Sequence, residues 1–142
     1  PCKACRRMLG DVERVNGHEP RNAPGSGLTC AVWVDALGTD PEHSSLSTAA
    51  AHVVLKLRIY SSMLQQPIDA IDPQIIDAVD VLFTAYVGDF TLGDYARNVD
   101  IFGEHGISLQ AVWGYANQDG KLLRIVTVNI PVAVNDAWEQ TA

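Results

Sequence analysis

Cys2 and Cys5 form a C-x-x-C pair, the spacing at which two thiolates can share one zinc ion or cycle as a disulfide. A structural zinc site needs a second ligand pair, and the candidates are His18 and Cys30. One is a lone histidine among turn residues and the other opens an apolar run, so this spacing does not complete a tetrahedral set. Redox chemistry of the thioredoxin type places its C-x-x-C after a strand and at a helix start. No strand is expected just before Cys2. The residues favour two thiols on a short N-terminal helix and a packed Cys30, and no metal or other cofactor is expected. Three cysteines, an odd number, also fit a reducing compartment better than a secreted disulfide framework.

His18, His43, His52 and His105 could serve as general bases. Three of them fall in loops or turns, His52 falls on the polar face of a strand, and no Gly-x-Ser-x-Gly elbow accompanies them. Asp69, Asp72, Asp77 and Asp80 cluster around a predicted helix. The first two bracket its start, where negative charge opposes the helix dipole, and the others lie one turn apart on its polar side. Phosphate-loop and dinucleotide motifs are absent. No catalytic residue is assigned, and the chain is not expected to be an enzyme.

The elements that would position these residues follow from periodicity. Residues 1–10 suit a short helix or tail ending at Gly10. Residues 11–29 hold Asn16-Gly17, Glu19-Pro20, Ala23-Pro24 and Gly25-Ser26-Gly27, breaker signals that predict a long loop, with 16–29 as its Gly/Pro-rich part. Cys30–Leu37 reads as a strand and 38–45 as a polar loop. In 52–60, Val53, Leu55, Leu57 and Ile59 alternate with His52, Val54, Lys56, Arg58 and Tyr60. Period-2 alternation predicts a strand with one face on a core and the other toward water or a neighbour.

A helix is predicted over 73–87, with Asp72 as N-cap and Pro73 at the first helical position. Its apolar stripe is Ile75, Ile76, Val79, Leu82, Phe83 and Tyr86, and Gly88 ends it. Leu55, Leu57, Val79 and Phe83 are expected in one buried cluster. A short strand at 98–102 follows, then strands at 109–116 and 121–134 joined by Asn117-Gln118-Asp119-Gly120. Pro131 should mark an edge or a bulge. Strands around one good helix make the expected fold α+β, a mostly antiparallel or mixed sheet of about five strands flanked by helices. At 142 residues the chain should be one domain over 1–142.

The net charge is −7, which disfavours a tight grip on nucleic acid. The longest apolar run is a few residues, so no membrane span is expected, and the basic start Pro1–Arg7 leads into no signal-peptide core.

Several strings then fall in a distinctive order: RVNGHEP, APGSGLT, AVWVDAL, VVLKLRIYSSMLQ, AIDPQIIDAVDVLFTAY, VGDFTLGD and GYANQDGKLLRIVTVNIPVAVND. Over roughly residues 11–138 the chain resembles the tail-terminator (tail-completion) proteins of siphophages that infect actinobacteria. Those relatives usually begin with a longer N-terminal helix. The resemblance implies a ring of six copies in the virion, at the head-proximal end of the tail tube, assembled in the host cytoplasm. Such a ring ends polymerisation of the tail tube protein and joins a head-side connector (stopper) protein, while genomic DNA passes through the lumen without specific binding. The neighbouring readings are a connector stopper or a minor tail protein, and then a C-x-x-C zinc or redox module. Contacts between subunits or with partners are expected at Asn16, His18 and Pro24 in the loop and at Lys56, Arg58, Tyr60 and Arg124 on strands.

Overall fold

The structure is a computed structural model that describes residues 12–16, 28–41, 44, 45, 47–63, 68–89 and 91–139. Residues 1–10, His18, Pro24 and His43 lie outside the described residues, as does most of the 16–29 loop.

Among the described residues a six-stranded sheet forms the body of the fold. Its strands are β1 (Val12–Asn16), β2 (Leu28–Asp40), β3 (Thr48–Ser62), β4 (Asn98–Val99), β5 (Gln110–Gln118) and β6 (Lys121–Glu139), and the helix α1 spans Ile71–Gly88. The order across the sheet is β1-β2-β3-β6-β4, with β5 also beside β6. Every pairing is antiparallel except β1 with β2, which is parallel. β3 and β4 both run antiparallel to β6, which lies between them, and α1 connects them in a split β-α-β arrangement. The expected α+β class with a mostly antiparallel sheet is what the chain adopts.

The alternation in β3 sets the layers. Leu57 and Ile59 are fully buried with Cys30 and Val32 of β2, Val126, Val128 and Ile130 of β6, and Ile75, Val79 and Leu82 of α1. Leu55 and Phe83, expected fully inside, are half-buried and pack against this cluster. Ile76 is a correction to the predicted stripe. It is exposed, because the buried face of α1 runs through Ile71, Ile75, Ala78, Val79, Leu82 and Tyr86.

Other boundaries differ from the sequence pattern for local reasons. β1 occupies part of the expected loop, held by pairing to Leu28–Ala31. β2 continues through Gly38 to Asp40 because β3 begins early enough, at Thr48, to pair with it. Only Asn98 and Val99 of the expected 98–102 strand are paired. A 3₁₀ turn at Ile68–Ala70 leads into α1, so Ala70 is the N-cap and makes no side-chain cap. Asp72 and Pro73 therefore lie inside the first turn, where a missing N–H loses no helical bond. The hairpin turn is Asp119-Gly120, both at positive φ (53° and 71°), between the paired Gln118 and Lys121.

Pro131 is not on an edge strand, since β6 has neighbours on both sides. β5 pairs with β6 as far as Asn129 and β4 from Val132, so the proline sits in the gap between them, where no donor is required.

Candidate functional site

The sheet face away from α1 carries Lys56 and Arg58. A bulge between Val34 and Ala36 leaves Asp35 unpaired in the ladder. Its carboxylate lies 3.2 Å from the ammonium of Lys56. Arg58 stacks over the ring of Trp33 at 5.4 Å and donates from Nε to Thr127 Oγ1 at 3.0 Å. Lys56 and Arg58 thus stand side by side on the open face, each oriented by a partner within the same chain. Tyr60 shares their face, and here the expectation of an exposed contact residue is corrected. Its side chain is fully buried with Ala31 and Leu123, and Trp33 and Ile125 pack against that small second cluster.

Arg124 lies on the other face of the sheet. Its Nε donates to Asp72 Oδ1 at 2.8 Å, an Nη donates to the Gly114 carbonyl at 3.4 Å, and the guanidinium stacks on Tyr115 at 4.5 Å. The bond to Asp72 is the main cause that raises its pKa above the ordinary arginine value. Asp72, Tyr115 and Arg124, together with Met63, Asp69 and Ile71, line a cleft of about 340 Å³ at the start of α1. The sequence grouped Lys56, Arg58 and Arg124 as one set of contact bases, whereas the fold divides them between two faces.

A third cluster brings two of the candidate histidines, His52 and His105, together with Asp40 and Asp100, which the sequence did not mark. Asp40 is buried, and its carboxylate is 3.7 Å from His105 Nε2. The His105 ring lies 5.0 Å from that of His52, whose own Nε2 is buried and makes no hydrogen bond among the described residues. Asp100, also buried, accepts backbone N–H bonds from Gly103, Glu104 and His105 at 2.9–3.0 Å. Burial alone pushes the Asp100 carboxyl up, but these three donors and the nearby His105 outweigh it and hold the group below the ordinary value. Gly103 closes this loop at φ 78°, and a Cβ there would meet the Ser108 nitrogen at 3.0 Å. Among the described residues no group of three or more His, Cys, Asp or Glu side chains is arranged to hold a metal.

Cys30 is fully buried in the main core rather than presented to solvent. Asn16 ends β1 opposite Ala31. No helix among the described residues is long and apolar enough to cross a membrane. Compared with protein-family models and with curated proteins, the chain matches none.

Proposed function

We propose that this protein is a structural subunit of a phage particle, a ring-forming tail terminator that caps the tail tube and joins it to the head-side connector. The observation that carries this reading is the ordered series of tail-terminator-like strings and where they fall. AVWVDAL lies within β2, VVLKLRIYSS within β3, DPQIIDAVDVLFTAY within α1, and GYANQDGKLL across the β5–β6 turn. They occupy the elements that build the sheet and its covering helix. The open face with Trp33, Lys56 and Arg58 supports the same reading. It offers an aromatic ring and two oriented cations, which suits contact with an acidic neighbour, and every copy of a chain of net charge −7 is acidic.

Such a subunit presents one face to the tube and another to the connector, so tube growth stops where it binds. The test is imaging of particles made without this protein. Heads lacking tails, together with free tails of irregular length, are expected. Particles that still carry normal, attached tails would reject the reading.

A further inference from the structure

Among the described residues, two stretches of this sheet have no strand beside them. Among the described residues β5 pairs only with β6, which leaves its outer edge bare along Gln110–Asn117. At the opposite margin β1 covers β2 only from Leu28 to Ala31, and among the described residues no strand pairs with the outer side of Val32–Thr39. A bare edge presents unpaired N–H and C=O groups, and isolated proteins blunt it with lysine, proline or charge. β5, QAVWGYANQ, contains no charge and no proline, and Val112, Trp113 and Tyr115 are exposed on it. The bare part of β2 exposes Val34 and Leu37 at 59% and 60%, and Lys56 holds the bulged Asp35 beside it.

We propose that β5 of one copy pairs with the bare part of β2 of the next, joining copies head to tail in one continuous sheet. The partner's being a second copy of this chain rests on the ring reading above. The joint itself follows from three properties of the sheet. First, β2 and β5 run in opposite directions within one copy. Copies set side by side in the same orientation therefore meet antiparallel, like most of the existing sheet. Second, the uncharged β5 lets two chains of the same net sign approach without repulsion at the joint.

Third, the stagger suits closure. Gly114, in the middle of β5, is level with Thr29 of β2 through Ile125 and Tyr60. The middle of the bare β2 segment is Ala36. Bringing Gly114 beside Ala36 shifts the neighbour along the strands by about 20 Å, at roughly 3.3 Å per residue and allowing for the bulge. The repeat is four strand spacings wide, roughly 19 Å. The resulting slope of about 45° is at the top of the roughly 35–45° strand tilt of closed barrels. Two unlike edges make a heterologous joint, which gives a ring where the rotation closes and never a two-fold dimer.

The test uses the full chain and two double variants at exposed positions, Val112→Lys with Asn117→Lys on β5 and Val34→Lys with Leu37→Lys on β2. Native mass spectrometry reads assembly, and thermal melts confirm that each variant folds. The unmodified chain should form closed oligomers, and each variant alone should fall to the 15.4 kDa monomer. An equal mixture of the two variants should give two-chain species and nothing larger, because one intact β5 and one intact β2 remain. Amide exchange in the unmodified chain, which needs no variant, should slow on assembly in 110–118 and 32–40. Variants that assemble as the unmodified chain does, a mixture that stays monomeric, or exchange unchanged in both segments would overturn the joint. Rings indifferent to both edges would leave the tail-terminator reading standing. Normal tails in particles lacking the protein would sink that reading while a mixed dimer still upheld the joint.

Discussion

Arg124 Nε donates to Asp72 Oδ1 at 2.8 Å across 52 residues of sequence, tying the first turn of α1 to β6. The arginine side chain is mostly enclosed while the carboxylate is half-exposed, so solvent weakens the ionic part. Asp72→Asn should therefore lower stability by only about 0.5–1 kcal/mol, within the usual range for such pairs. Arg124→Ala should lower it by more, since it also removes the stack on Tyr115 and the bond to the Gly114 carbonyl. Urea unfolding of the two single variants and the double variant checks this, and additive effects would show that the pair is not coupled.

Core position decides the effect of truncation. Leu57 is fully buried between β2, β6 and α1, and Leu57→Ala should destabilise by about 2–5 kcal/mol. Phe83 only borders that cluster, so Phe83→Ala should lose less than the roughly 3–5 kcal/mol of a fully enclosed phenylalanine. Thermal melts rank the two. A larger loss for Phe83→Ala would contradict the packing described.

The Asp100 loop predicts an acid-side response. A carboxyl whose pKa is lower folded than unfolded adds stability above its unfolded value and loses it as pH falls through the folded value. Unfolding free energy should accordingly decline as pH drops below the ordinary 3.8 of this group. Asp100→Asn should flatten that part of the slope. Near neutral pH the same substitution should remove about 1–3 kcal/mol, because three backbone donors lose an ionised acceptor. Denaturant titrations of both proteins between pH 3 and 7 give the comparison.

Arg58→Glu reverses charge on the open face and removes the stack on Trp33 and the bond to Thr127. Subunit assembly should weaken and its salt dependence should change, as read by sedimentation at low and high salt. Unaltered assembly accompanied by a loss of DNA binding would point to a nucleic-acid role for Arg58 instead.

Local patterns revealed the layers and missed the long-range partners. Val53, Leu55, Leu57 and Ile59 declared their face because side chains in a strand alternate, and Asp119-Gly120 declared the hairpin because it accepts positive φ. Tyr60 misled because alternation separates two faces without saying that the second is open, and a small apolar cluster covers it there. β1 has no clear alternation and exists through its pairing with β2. Thr127 lies 69 residues from Arg58, and the meeting of Asp40 with His105 depends on the unforeseen extension of β2. No spacing rule reaches that far.

β6 touches β3 along one side and both β4 and β5 along the other, yet it is the last of these strands in chain order. During synthesis the β2–β3 hairpin and α1 leave the ribosome with their apolar sides facing a strand that has not been made. β4 and β5 emerge with no neighbour to pair with at all. The sheet therefore closes only once residues 121–139 are free, and most of its ladder forms in that late step. Whatever slows the arrival of that segment lengthens the interval in which an uncharged, edge-prone β5 can meet another unfinished chain.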